Sequence, residues 1–142
     1  MKYIIQKKKT ISAIFIFICI TVTATYFSRF GFDLHHDGLM YKSALDISNG
    51  KKLFRESFTQ YGALTALIQG LSLNLFGKYL ITIKLVTAIF YGLIATMLFL
   101  IWSTFLNSSL TIFLVVIWQL LAPYYEYTFL PWSSVYSLFF FC

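Results

Sequence analysis

Charge is scarce in this sequence. Lys, Arg, Asp and Glu make up 11% of its 142 residues, where a soluble domain usually carries about 25%. That shortage disfavours a water-soluble globular domain and points to an integral membrane protein, in keeping with a mean hydropathy of +0.78. Acid is scarcer still: five Asp and Glu stand against eleven Lys and Arg, for a net charge of +6. The excess of base does not imply nucleic acid as a partner. Lys2, Lys7, Lys8 and Lys9 precede the first apolar run, as in a membrane anchor, and the other bases lie between Arg29 and Lys84. There they suit membrane lipids with anionic headgroups or a phosphate-bearing ligand. The two cysteines, Cys19 and Cys142, form neither a CxxC pair nor a metal-ligand spacing. Also missing are a Ser-His-Asp arrangement, a phosphate-cradling glycine loop and a nucleotide fingerprint, which disfavours a soluble nucleotide-using enzyme. There is no internal repeat and no low-complexity tract.

What is abundant is apolar and aromatic: 59% of residues are hydrophobic, with sixteen Phe and ten Tyr. Few prolines and many aromatics suit packed helices with interfacial aromatic belts. The expected fold is all-α and membrane-embedded, with three transmembrane helices and a truncated fourth. The first span covers about residues 10–27, long enough at about 1.5 Å per residue for most of a bilayer core. A cleaved signal peptide competes with this reading, but the run is long for its apolar region. Further spans are expected over about 79–102 and 110–125, and a partial one over 132–142. Lys84, near the start of the second span, is expected to snorkel to the interface. An aromatic interface loop, "PYYEYTFLPW", precedes the partial span.

Residues 28–78 form a large first loop of mixed polarity. Two interfacial helices are expected in it, over about 38–49 and 63–76. In the first, Met40, Ala44 and Ile47 share a face, and Lys42, Asp46 and Asn49 another. Asp37 is placed to cap it and Gly50 to stop it. In the second, Thr65, Gln69 and Ser72 make a narrow polar stripe on an otherwise apolar helix. Triple lysine before the first span sets the N-terminus on the cytoplasmic side and this loop outside. The positive-inside rule supports that at the first span, while the whole loop holds more base than the N-terminus.

The chemistry concentrates in "GFDLHHDGLMYKSALD", residues 31–46. Asp33, His35, His36 and Asp37 lie just outside the first span. Three readings compete. Asp37 caps the following helix and the histidines wet the interface. A carboxylate near apolar surface serves as general base. The group binds a metal, which the ligand count disfavours, because adjacent histidines diverge and His35 with Asp37 supplies too few ligands. A divalent cation shared with a phosphate ligand stays open. Lys51, Lys52 and Arg55, in the connector "KKLFRESFTQYG", suit phosphate at headgroup level or a plain solvated loop.

The order of these parts resembles the N-terminal part of GT-C-type membrane glycosyltransferases, such as protein O-mannosyltransferases and the lipid A aminoarabinose transferase. The resemblance runs through "HHDGLMYKSALDISNGKKLFRESFTQYGALTALIQGLSLNLFG", residues 35–77, into "KLVTAIFYGLIATMLFLIW". It implies transfer of a sugar from a lipid-linked donor, a polyprenyl-phosphate sugar, to an acceptor at the outer face of a bacterial inner membrane. It implies Asp37 as general base or orienter of the acceptor hydroxyl, with Asp33 second. His36 and His35 would assist the carboxylate or contact the donor. Arg55, then Lys52, would contact phosphate, and Tyr61 and Gln60 would lie near the cavity. Glu56 stands where the pattern often has Asp. Family members are several hundred residues long, so the chain is expected to be a fragment, inactive without the missing C-terminal half. The alternative is a small non-enzymatic membrane protein or assembly partner.

Overall fold

The computed structural model describes residues 2–121 and 133–141, with side chains over 6–121 and 134–140. The described residues are all helix, turn and loop. Six helices follow in order: α1 Lys2–Phe27, α2 His36–Ser48, α3 Ala63–Phe76, α4 Leu80–Trp102, α5 Ser108–Leu121 and α6 Ser133–Phe141. Two of them contain stretches long and apolar enough to cross a bilayer, Gln6–Phe27 and Leu80–Trp102. The third expected span appears as the 14-residue α5, about 21 Å of helix. The partial fourth appears as the nine-residue α6. The aromatic loop between them lies outside the described residues.

α1 and α4 form the main pair, and they run antiparallel. At one end Lys9 Nζ donates to the Ser103 carbonyl at 2.6 Å, a cation on the C-terminal end of α4. At the other, Lys84 Nζ reaches the Gly31 carbonyl beyond the end of α1, at 3.2 Å. Small residues let the two backbones approach. Ala13 and Ala24 of α1 and Ala88 and Ala95 of α4 are buried in the seam with Ile16, Ile20 and Ile94. Gly92 is needed there: a Cβ would collide with Thr21 Oγ1 and press on the Phe17 carbonyl. α5 adds Val115 and α6 adds Val135 to the same core.

α2 and α3 form a second hairpin, packed over the start of α4. Met40, Ala44, Leu73 and Ile83 make its core. Gly70 is its contact point, since a Cβ there would lie 2.7 Å from Ile47 Cγ2 and 3.1 Å from the Ala44 carbonyl. Gly50, at φ +84°, turns the chain out of α2 as expected. The polar stripe of α3 faces inward. Thr65, Gln69 and Ser72 are buried, while Leu64, Leu67, Leu71 and Leu75 are exposed. The buried stripe has partners inside: Gln69 Nε2 donates to Tyr136 Oη at 3.4 Å, and Tyr136 Oη bonds Thr87 Oγ1 at 2.7 Å. These contacts tie α3, α4 and α6 together.

Candidate functional site

The site forms where the chain leaves α1, turns at Gly31 and enters α2. Entry into α2 is governed by Asp33. Its Oδ1 accepts the backbone N–H groups of His35 and His36, both at 2.8 Å. Those are among the first-turn donors that a helix leaves unpaired. The Asp33 carbonyl accepts the Asp37 N–H at 3.0 Å. Asp33 is therefore the cap, and the expectation that Asp37 caps this helix is corrected. Both aspartates precede the apolar stretch of the helix. Only Asp33 stands far enough back for its carboxylate to meet the first N–H groups.

The second oxygen of Asp33 lies 3.0 Å from His36 Nδ1, and both side chains are about one-third exposed. The His36 backbone N–H and then the His36 ring hold the Asp33 carboxyl below its ordinary value. His35 is exposed and sets its ring edge-on to His36, centroids 5.1 Å apart. The half-buried Tyr61 ring is 6.4 Å from that of His36. Burial first, and the Asp33 charge second, push the Tyr61 phenol up. Asp33, His35, His36 and Tyr61 are thus one surface group.

Asp37 lies beneath it. Its side chain is fully buried and pairs through Oδ2 with Lys84 Nζ at 2.8 Å, the lysine itself 3% exposed. The same oxygen accepts the Asp33 N–H at 3.2 Å. Oδ1 has no hydrogen-bond partner among the described residues. Lys84 does not snorkel. It turns inward and bonds both Asp37 and the Gly31 carbonyl, because a buried charge needs a partner more than the interface needs a lysine. This pair joins the turn after α1, the start of α2 and the start of α4. Sequence reasoning missed it. The available signal was a lysine within an apolar run, a position that in membrane helices usually carries a partner.

The connector is organised separately. Asp46 is buried and accepts Lys51 at 2.7 Å, Lys42 at 3.0 Å and the Ser57 hydroxyl at 3.1 Å. Lys51 and then Lys42 hold its carboxyl down to about 2. Glu56 Oε2 accepts the Lys52 N–H at 2.9 Å and closes the turn. Lys52, Arg55 and Gln60 are exposed. Among the described residues no ion pair or side-chain hydrogen bond joins them to the Asp33–Asp37 group. Nor do the described residues include a group of three or more His, Cys, Asp and Glu placed to hold a metal ion.

The arrangement can hold an ionised carboxylate and an imidazole at a surface, fixed from below by a buried ion pair. No protein-family model, curated protein or solved structure matches this chain.

Proposed function

We propose that this is an integral membrane protein whose external loop carries the acidic site of a sugar transferase using a polyprenyl-phosphate donor. The observation that carries the reading is the Asp33–His36 pair, partly exposed beside the ends of two apolar helices, over the buried Asp37–Lys84 pair. The membrane reading is supported by outward faces built of Ile11, Phe15, Ile18 and Val22 on α1 and by the outward leucines of α3. Such a face is expensive in water and ordinary in lipid. The proposed topology keeps three spans and a partial fourth, with the N-terminus in the cytoplasm of a bacterial cell. The Lys9–Ser103 bond supports one part of it, the start of α1 and the C-terminal end of α4 at the same end of the pair.

In the transfer, the acceptor hydroxyl oxygen bonds the anomeric carbon and the carbon–oxygen bond to phosphate breaks. Polyprenyl phosphate leaves, and the hydroxyl proton passes to the imidazole of the Asp33–His36 pair. Exposure makes Asp33 the carboxylate that meets the hydroxyl, and Asp37, with no exposed surface, becomes a positioning residue. A carboxyl held below its ordinary value is a weak base at neutral pH, so Asp33 orients the hydroxyl more than it strips it. Arg55 and Lys52 offer charge to the donor phosphate, and Tyr61 borders the pair. Asp33 and His36 are too few ligands for a metal of the protein's own. A divalent cation there would take its other ligands from the phosphate and water.

The test is sugar transfer from a labelled polyprenyl-phosphate donor by membranes expressing the full reading frame. Asp33→Ala should lower turnover by about 10²–10⁴-fold. Turnover within about threefold of wild type for both Asp33→Ala and Asp37→Ala would overturn the reading. A second reading, a non-enzymatic membrane protein or assembly partner, is favoured by the internal engagement of Asp33, Asp37 and Asp46. Polyprenyl-phosphate binding that is lost in Arg55→Ala counts against it.

A further inference from the structure

The turn between α2 and α3 shows two phenylalanines that sugar transfer does not explain. It is tightly made. The Lys52 carbonyl accepts the N–H groups of Arg55, Glu56 and Ser57, and Phe54 N–H bonds the Ser57 carbonyl at 2.9 Å. It is also anchored, by Lys51 and Ser57 on Asp46 and by Ser43 Oγ on the Phe58 carbonyl at 3.0 Å. Yet its tip is apolar: Phe54 is 69% exposed and Phe58 78%. Phe54 is also the one non-glycine with positive φ among the described residues, at +61°. An aromatic residue is poorly suited to that conformation, and strain of this kind persists where surrounding structure enforces it. In sequence Lys52 precedes Phe54 and Arg55 lies between the two phenylalanines, and both are exposed. Neither charge has an ion pair or hydrogen bond among the described residues.

A turn that shows two phenylalanines, with two cations unpaired among the described residues, fits one kind of surface. Aromatic rings enter the boundary between headgroups and acyl chains, and basic side chains are attracted to anionic headgroups above it. The position of the turn agrees. It leads directly into α3, whose leucines at 64, 67, 71 and 75 face outward along its whole length. For that stripe to leave water, the start of α3 must lie at the membrane as well as its end. We infer that residues 52–58 are an interfacial anchor that inserts Phe54 and Phe58 into the outer leaflet and binds anionic lipid headgroups through Lys52 and Arg55. The α2–α3 hairpin is thereby held flat on the membrane at the level where the phosphate of a lipid-carried substrate lies. The inference rests on the membrane reading and not on sugar transfer.

The experiment uses the whole chain in nanodiscs of zwitterionic lipid, with or without anionic phosphatidylglycerol. A bimane label is placed at Phe54→Cys, in a background of Cys19→Ser and Cys142→Ser. A control label sits at Phe15→Cys, on the outward face of α1. The Phe54 label should be quenched by spin-labelled lipid carrying the nitroxide near the headgroup and protected from iodide. With Lys52→Gln and Arg55→Gln together the inserted-to-exposed ratio should fall about thirtyfold in anionic discs. It should change little in zwitterionic ones. A Phe54 label open to iodide in anionic discs, with Phe15 in lipid, overturns the anchor alone. Failure of both labels to meet lipid overturns the membrane reading with it. Protection from both quenchers puts protein on the turn and also overturns the anchor.

Discussion

At the scale of the residue, the decisive feature is one buried ion pair and the acid above it. Asp37 Oδ2 and Lys84 Nζ pair at 2.8 Å with almost no water contact. Removing one partner strands the other. Lys84→Met should therefore destabilise the chain by about 3–5 kcal/mol, measured by unfolding in detergent. The double variant Asp37→Leu with Lys84→Met should recover most of that loss, because no charge is left buried. Equal losses in the single and double variants would mean that the pair contributes through packing alone. Asp46 gives a second test, through pH. Its folded value, about 2, lies below its ordinary 3.8. The stabilisation is complete above the ordinary value and is lost as pH falls toward 2. It should amount to about 1–2 kcal/mol, allowing for the water around both lysines. Asp46→Asn should thus cost stability at pH 6 and nearly nothing at pH 2, as read by thermal unfolding. The acidic stretch itself was legible in the sequence, since charge amid apolar runs stands out. Which aspartate caps and which is buried was not. That depends on where each carboxylate meets a backbone N–H or a lysine far along the chain.

At the scale of the element, periodicity carried the reading well. Of the interfacial helices expected over 38–49 and 63–76, the helices themselves appear, as His36–Ser48 and Ala63–Phe76. The glycines at 50 and 77 end them with positive φ. Spans expected over 10–27 and 79–102 lie within α1 and within one residue of α4. What periodicity could not say is which face of α3 turns inward. In water the leucines would be buried, whereas here Thr65, Gln69 and Ser72 are. The small residues of α1 and α4 carry the clearest mutational consequence. Gly92→Leu would drive a side chain into Thr21 and the Phe17 backbone, and neither the backbone nor the adjoining turn can yield far. It should destabilise the chain by at least about 1–3 kcal/mol. A crosslink between cysteines placed across the α1–α4 seam would report the loss directly, and undiminished crosslinking would show that the helices do not approach at Gly92.

At the scale of the molecule, one antiparallel pair of long apolar helices carries a hairpin of amphipathic helices over one of its ends. The described acids and both histidines gather there, and the lysine-rich start of α1 lies at the other end, beside Ser103. This polarity is the central claim, because a site for a lipid-carried donor has meaning only if the Asp33 group and the lysines lie on opposite sides of the membrane. The all-helical character of the described residues was legible from composition, whereas the closeness of Lys84 to Asp37 became visible only once α4 was folded against the turn after α1. The direct measurement is side-specific labelling with a membrane-impermeant maleimide. Single cysteines are placed at Leu34, 83% exposed, and at Phe105, 84% exposed, in a background of Cys19→Ser and Cys142→Ser. In intact cells Leu34→Cys should react at once and Phe105→Cys only after the membrane is permeabilised. Labelling of both without permeabilisation, or protection of both, would contradict the account.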